Sequence, residues 1–297
     1  MNKSKLRIVF GALGILGTSA GCAVEILDEE VGTHQQANSG YCSSTLATKA
    51  ATNGSLDWQE KPFDGCQSSA VSSYNFGVST DIPLIVGGEL AVYGTTTTGS
   101  RRGYFFVDKD GSGSWSGGDT QAKFKSDAQA GDQPFAIAIQ VQKKVGSSCV
   151  DASAIPYHED VVGIKRGTTW YIDANGNGTW DGTASCDRLV NAFGNASDIP
   201  SPYGDAIASV RTVGTVKHWY IDTNLNFVWD AGDTDAVFGA STDQVSVAGA
   251  VGVQRGRDVF INWNSNLNYN TGDKDLINHL PSTSWKYVGV TTYFWND

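Results

Sequence analysis

Apolar positions fall in short runs such as Val162-Gly163-Ile164, Trp170-Tyr171-Ile172, Trp219-Tyr220-Ile221 and Val259-Phe260-Ile261, each with Gly, Asn or Asp within three residues of at least one end. Runs this brief, closed by turn-forming residues, predict strands joined by tight turns rather than helices. The runs also repeat. Trp170–Asp181 has a near copy in Trp219–Asp230, a third in Tyr104–Trp115, a weaker fourth in Val259–Asn270 and a worn fifth in Asn53–Trp58. Trp58, Trp115, Trp180, Trp229 and Tyr269 serve as their anchor aromatics.

Two further signals set the phase. Phe76-Gly77, Phe193-Gly194 and Phe238-Gly239 are each followed by an Asp five residues after the Phe, at Asp81, Asp198 and Asp243. Val162-Gly163-Ile164 has counterparts at Val251-Gly252-Val253 and Val288-Gly289-Val290, and Arg166-Gly167 and Arg255-Gly256 sit where hairpin turns are expected. Each unit thus reads as four strands: one after Asp-Ile-Pro, one at Val-Gly-Ile, one at Trp-Tyr-Ile-Asp and one ending at Phe-Gly. Repeats of about 50 residues with four strands predict an all-β propeller. The count is about five blades. The last unit stops at Tyr293-Phe294-Trp295, near the point where the first begins, so strands from both termini are expected to close the circle. A two-sheet sandwich with coincidental Asn-Gly turns is the alternative, and the shared order of positions argues against it.

After each Trp-Tyr-Ile strand comes a loop with oxygen-bearing side chains at alternating positions. Loop one offers Asp108, Asp110, Ser112, Ser116 and Asp119; loop two Asp173, Asn175, Asn177 and Asp181; loop three Asp222, Asn224, Asn226, Asp230 and Asp233. Loop four has Asn262, Asn264, Asn266, Asn270 and one carboxylate, Asp273. Gly113 and Gly178 fill the sixth position, where a calcium loop turns sharply, and alternate oxygens of a tight turn can supply the six to eight ligands calcium takes. Carboxylate count ranks loops one and three first, loop two next and loop four last. The competing explanation is that Asn and Asp merely form turns.

These motifs resemble the FG-GAP/VCBS-type repeats of bacterial surface propellers, whose units carry Phe-Gly, Asp-Ile-Pro, Val-Gly-Val, Trp-Tyr-Leu-Asp and an Asn-Gly-Asn-Gly loop. The resemblance covers roughly residues 53–297 and is strongest over 160–240. It implies a propeller with calcium in such loops, as in the related integrin-type head. Unequal unit lengths, the nearly uncharged loop four and fewer units than usual depart from that pattern. No activity follows from it, because the fold hosts many functions.

The N-terminus adds a location. Lys3, Lys5 and Arg7 precede an apolar stretch from Ile8 to Leu16 and then Gly17-Thr18-Ser19-Ala20-Gly21-Cys22, which makes residues 1–21 a secretory signal peptide. The residues before Cys22 resemble a bacterial lipobox, with Ser19 where Leu is usual, and this implies lipidation of Cys22. Cleavage after Thr18-Ser19-Ala20 is the alternative. Residues 22–40, with Glu25, Asp28, Glu29 and Glu30 and no Lys or Arg, read as an acidic flexible tether, leaving 41–297 as the propeller domain. Ala23 after the Cys favours the outer membrane, on the lipoprotein resemblance alone. With Cys22 lipidated, Cys42, Cys66, Cys149 and Cys186 remain, an even number suited to an oxidising compartment. Cys149 lies in the long insertion between the first and second strands of its unit, and Cys186 between the third and fourth. In an up-and-down meander these connections share a face, so a Cys149–Cys186 bridge is expected, and Cys42–Cys66 follows by elimination.

Charge and motifs narrow the function. A formal net charge of −10 excludes nucleic acid as a partner and suits divalent cations. His34, His158, His218 and His279 are scattered, His-Glu-x-x-His and phosphate-binding Gly-Lys-Ser/Thr patterns are missing, and the one Gly-x-Ser-x-Gly match, Gly17–Gly21, falls in the signal peptide. Glu159-Asp160 beside His158 is the one local cluster of titratable groups. Trp263, offset from the repeating Trp positions, is a candidate platform for a sugar ring. The expectation is a lipid-anchored, calcium-stabilised, non-enzymatic binding or adhesion module for a protein or polysaccharide at the cell surface, touching the membrane through its lipid alone. The alternatives are a secreted polysaccharide-acting enzyme and a purely structural envelope protein.

Overall fold

Each stretch between one Asp-containing turn and the next folds into a four-stranded antiparallel sheet, and five such sheets form a β-propeller. The computed structural model describes residues 40–64, 70–96, 101–152, 158–191, 193–246, 251–262 and 273–295. The chain opens with β1 (Gly40–Ala50), β2 (Ser55–Asp64) and β3 (Ser72–Val78). Blade two is β4 (Ile82–Val86), β5 (Glu89–Tyr93), β6 (Tyr104–Val107) and β7 (Thr120–Lys123). Blade three starts with β8 (Gln133–Gln140), is interrupted by the hairpin β9 (Gln142–Val145) and β10 (Ser148–Asp151), and continues with β11 (His158–Arg166), β12 (Thr169–Ile172) and β13 (Arg188–Val190). Blade four is β14 (Ile199–Pro200), β15 (Ala208–Val213), β16 (Val216–Ile221) and β17 (Thr234–Ala240). Blade five is β18 (Gln244–Val245), β19 (Gly252–Arg255), β20 (Asp258–Ile261) and β21 (Lys274–Leu276).

The last strand, β22 (Lys286–Trp295), pairs antiparallel with β1 from Gly40↔Trp295 to Thr48↔Lys286. Closure by both termini is therefore correct, with one strand from the C-terminus and three from the N-terminus. Two details differ from the repeat reading. Val288-Gly289-Val290 lies on β22, the first strand of blade one, whereas Val162-Gly163-Ile164 lies on the second strand of its blade. Trp58 is a strand residue of β2, equivalent to Trp170 and Trp219 rather than to the loop aromatics. Its indole donates to the Phe76 carbonyl at 2.8 Å, as Trp170 does to Phe193 and Trp219 to Phe238, both at 2.9 Å.

That bond explains Phe-Gly. The carbonyl that accepts the buried indole N–H precedes a glycine at φ 90°, 75° or 102° in Gly77, Gly194 and Gly239. A side chain there would be strained and would also meet the next blade: a Cβ on Gly194 would stand 2.3 Å from Ser209 Oγ, and one on Gly77 2.9 Å from Val92. The glycine lets two sheets approach closely, and apolar clusters fill the space between blades. Leu46, Trp58, Phe76, Ile85 and Val92 join blades one and two; Tyr93, Phe105, Phe124 and Ile164 join two and three. Clusters around Trp170 and Ile207, around Trp219 and Val253, and around Ala47 and Tyr287 complete the ring.

A second device repeats at the turn entering each first strand. Asp81, Asp132, Asp198 and Asp243 are buried, and each accepts the backbone N–H of the residue three before it: Val78 (3.0 Å), Gln129 (2.8 Å), Asn195 (2.7 Å) and Ala240 (2.7 Å). Each also takes both arms of an arginine from its own blade. Arg211 reaches Asp198, and Arg255 reaches Asp243, with Nε and Nη2 both at 2.8 Å. Arg166 grips Asp132 at 2.7 and 2.9 Å, and Arg101 grips Asp81 in the same way. Such forked, charge-assisted pairs fix geometry as well as charge. Blade one has no such pair among its described residues; there Lys49 lies 5.2 Å over the Trp285 ring.

Arg211→Met would leave the Asp198 carboxylate buried without its counter-charge, at a cost of about 3 kcal/mol. A urea titration should show the midpoint falling accordingly. An unchanged midpoint would mean that the turn does not depend on its arginine.

Candidate metal centre

The three acidic loops follow the third strands β6, β12 and β16 and share one hydrogen-bond scheme. The first carboxylate accepts the N–H groups of the fifth and sixth residues: Asp108 from Ser112 (3.0 Å) and Gly113 (2.8 Å), Asp173 from Asn177 (3.1 Å) and Gly178 (2.6 Å), Asp222 from Asn226 (3.1 Å) and Phe227 (2.8 Å). The third side chain accepts the fifth N–H again, through Asp110, Asn175 or Asn224. Wrapping a chain this tightly needs left-handed backbone at the fourth and sixth positions. Loops one and two place Gly111, Gly113, Gly176 and Gly178 there; loop three places Leu225 at φ 59° and Phe227 at φ 64°.

Loop one gathers the most charge. Carboxylate oxygens of Asp108, Asp110 and Asp119 lie within 4.8 Å of one another, the one such acidic group among the described residues, and the cluster can hold a metal ion. The Ser112 hydroxyl is 2.8 Å from the Ser114 carbonyl, and the Ser116 hydroxyl bonds Asp110 at 2.6 Å. Oxygens from positions one, three, five, seven, nine and twelve thus stand together, a donor set that suits a hard cation. Burial, with Asp119 adding like charge, pushes the Asp108 carboxyl up to about 6, whereas hydrogen bonds from Ser116 and Ser112 hold exposed Asp110 down at about 2.

Loops two and three are filled differently. Amides of Asn175 and Asn177 donate to Asp181 at 3.1 and 3.2 Å, and those of Asn224 and Asn226 to Asp230 at 2.9 and 2.6 Å. Burial raises Asp173 to about 6 and raises Asp222 as well. Asp233 accepts the Asp230 N–H at 2.7 Å with one oxygen, while its other oxygen is buried with no hydrogen-bond partner. An orphaned carboxylate oxygen inside an acidic loop is a position a cation would satisfy. By these donors, loop one can hold a metal ion, and loop three leaves one acidic oxygen unanswered.

Sequence reading missed Asp187. Loop two has Ala184 at the twelfth position, yet Asp187 accepts the N–H groups of Asp181 (2.8 Å) and Gly182 (3.2 Å), doing in loop two what Asp119 and Asp233 do in theirs. A single 3-10 turn, Thr183–Ser185, absorbs the three extra residues and displaces the Asp from the expected spacing. The expected Cys149–Cys186 disulfide is present and ties this turn to the β9–β10 hairpin. Of the other expected residues, Cys22, Cys66, Trp263, Asn264, Asn266 and Asn270 lie outside the described residues, and Cys42 is described for its backbone alone. Loop four is represented by its ends, Asn262 and Asp273.

The eighth residue of each loop reaches the preceding blade. Trp115 contacts Phe76 and Phe106, Trp180 contacts Phe124 and Tyr171, and Trp229 contacts Phe193 and Tyr220, at ring separations of 5.0 to 6.4 Å. Ordering a loop therefore also braces two blades. Comparisons with protein-family models, curated proteins and solved structures found no match to this chain.

Two outcomes follow. A folded carboxyl at about 6 against an ordinary 3.8 contributes stability that is fully present below about pH 3.8 and lost as pH rises through about 6. In metal-free protein, the melting temperature of Asp108→Asn relative to the parent should therefore be more favourable at about pH 7.5 than at about pH 5. In calcium at about pH 7.5, Asp108→Asn should melt below the parent, and a parent melt indifferent to calcium would remove the metal assignment. Separately, left-handed backbone costs an ordinary side chain about 1 kcal/mol or more. Exposed Leu225 makes little packing to offset this, so Leu225→Asn should raise the melting temperature by a few degrees.

Proposed function

We propose that the chain is an exported, lipid-anchored β-propeller of the FG-GAP/VCBS type, stabilised by calcium, that works as a non-enzymatic binding module at the cell envelope. Asp108, Asp110, Ser112 and Asp119 would hold calcium in loop one, Asp222, Asn224, Asn226, Asp230 and Asp233 in loop three, and Asp173, Asn175, Asn177 and Asp181 contribute in loop two. The metal would supply counter-charge and rigidity rather than chemistry. The observation that carries this reading is the position of exposed apolar side chains on the same loops as the converging carboxylates. Trp115 is 52% exposed, Val228 60%, Leu225 41% and Trp229 40%. In a four-stranded meander these third-to-fourth connections all emerge at one end of the propeller, so cation-ordered loops present several apolar tips on one face. Such tips, set among polar residues, suit recognition of a protein or a polysaccharide. Lipidation at Cys22 would tether this face to the envelope, in the outer membrane by the residue that follows the Cys.

The test is binding of the mature chain carrying Cys22→Ser to a broad glycan and polysaccharide array, in calcium and in EDTA. Calcium-dependent binding to one sugar class, lost in Trp229→Ala, supports a lectin. A blank array from folded protein moves the partner to the protein class, to be sought by crosslinking on cells. Binding unaffected by EDTA and by substitution of every loop tip would sink the proposal. The same Cys22→Ser change should release the protein from membranes, and persistent membrane association would refute the anchor.

A further inference from the structure

We propose that loop two is a third cation site, completed by Asp187 and conditional on the Cys149–Cys186 disulfide. The inference rests on the calcium reading of the loops; what it adds is the ligand absent from the sequence spacing and the covalent bond that delivers it.

Asp187 is 4% exposed, and one of its carboxylate oxygens is buried without any hydrogen-bond partner. Its other oxygen is fixed by the Asp181 and Gly182 N–H groups, and the charges nearest it are the carboxylates of Asp181 and Asp173. A carboxyl oxygen shut away from water beside two more acids lacks a partner, and a divalent cation is the ligand class that would answer it. With Asp187 included, loop two carries three carboxylates, as many as loops one and three.

The bridge holds that acid in place. Cys186, immediately before Asp187, sits at φ 77°, a left-handed conformation costly for a non-glycine residue, and is almost fully buried. It is joined to Cys149 of the hairpin with Cα atoms 5.4 Å apart. The hairpin is in turn seated on loop two, because the Gln142 N–H donates to the Ala174 carbonyl at 2.8 Å. Asn175, a loop ligand, donates to the Ser185 carbonyl of the intervening turn at 2.9 Å. Cutting the disulfide removes the restraint that offsets the strained Cys186, and the chain segment bearing Asp187 is free to relax away from Asp173 and Asp181. Loop one has no covalent tie of this kind among its described residues and serves as an internal control.

Terbium, which occupies calcium sites and is excited by a neighbouring indole, reads each loop through its own tryptophan. In full-length protein carrying Trp115→Phe, Trp229→Phe and Trp263→Phe, the remaining loop indole is Trp180. Adding Asp187→Asn should weaken terbium binding sensed by Trp180 about tenfold or more, with calcium competing in both forms. Cys149→Ser should do the same. So should reduction of the parent with excess dithiol, which closes into its own disulfide as the bridge becomes two thiols, followed by desalting. The matched protein keeping Trp115 and carrying Trp180→Phe should show unchanged binding under each treatment. Trp180-sensed binding indifferent to Asp187→Asn overturns the site, and indifference to both Cys149→Ser and reduction overturns its dependence on the bridge. If Asp187→Asn does not fold, the reduced parent supplies the deciding titration. Silence through Trp115 and Trp180 alike would refute the calcium reading as a whole, whereas response through Trp115 with none through Trp180 refutes this site alone.

Discussion

A buried aspartate at the entrance to the first strand of four blades is the constraint on which the propeller turns. Its position follows from backbone demand: the turn leaves an N–H pointing inward, and Asp81, Asp132, Asp198 and Asp243 each answer one. The charge thereby placed inside must be met, and a forked arginine from the second strand or its following turn meets it. That arginine then lies over an aromatic ring of the third strand: Arg101 over Phe106, Arg166 over Tyr171, Arg211 over Tyr220 and Arg255 over Phe260. In blades two to four the same ring meets the loop tryptophan, which touches the preceding blade's phenylalanine. One polar requirement at a turn is thus relayed through a blade to its neighbour. Buried ion pairs add little net stability but specify arrangement, and here they specify blade phase.

Neighbouring blades are also tied directly, by means the aspartate turn makes possible. Lys165, wholly buried, donates to the carbonyls of Asn195, Ala196 and Asp198 in the turn of the next blade. Gln254 occupies the same place two blades further on, bonding the Trp285 carbonyl and the Tyr287 N–H. Both residues immediately precede the pairing arginine, so alternate side chains of one strand serve alternate purposes, one within the blade and one across it. Blade one, assembled from both termini, substitutes a different set: Thr45 with His279 at 2.6 Å, and Lys61 to the His279 carbonyl at 2.8 Å. Burial, then the nearby Lys61 charge, holds His279 down at about 4, so it stays neutral in this seam across the physiological range.

What was legible in the sequence is what the backbone forces to recur. Phe-Gly is visible because a carbonyl must face an indole and a glycine must let the next sheet close in. The loop pattern is visible because one carboxylate must collect the fifth and sixth N–H groups, which fixes the spacing to the residue. Legibility fails where spacing is free. Asp132 does the work of Asp198, but it follows Phe124 by eight residues rather than five, and Lys125 stands where Gly is usual. Asp187 is hidden by the three residues of a 3-10 turn, although an acid directly after a bridging cysteine is a signal that could have been weighed. Trp58 reads as a loop aromatic because Asn53-Gly54 looks like one of the Asn-Gly loops, whereas it is the β1–β2 hairpin. The terminal strand β22 carries its Val-Gly-Val at another position, since buried strands favour Val wherever they stand in a blade.

The two ends of the propeller consequently differ in electrical character. At the end carrying the aspartate turns, each buried carboxylate has an arginine built into the same blade, so that end is self-neutralised. At the loop end, backbone N–H groups and Asn amides orient the carboxylates, but dipoles do not cancel a net charge. Asp108, Asp110 and Asp119 face one another in loop one, and orphaned oxygens of Asp233 and Asp187 remain in the other two. The chain carries 31 acidic against 21 basic residues, and four of its arginines are engaged by the turns. A cation is the ligand that the converging carboxylates of loop one can hold. The carboxylates that no forked arginine meets thus gather at the end where the exposed tryptophans lie.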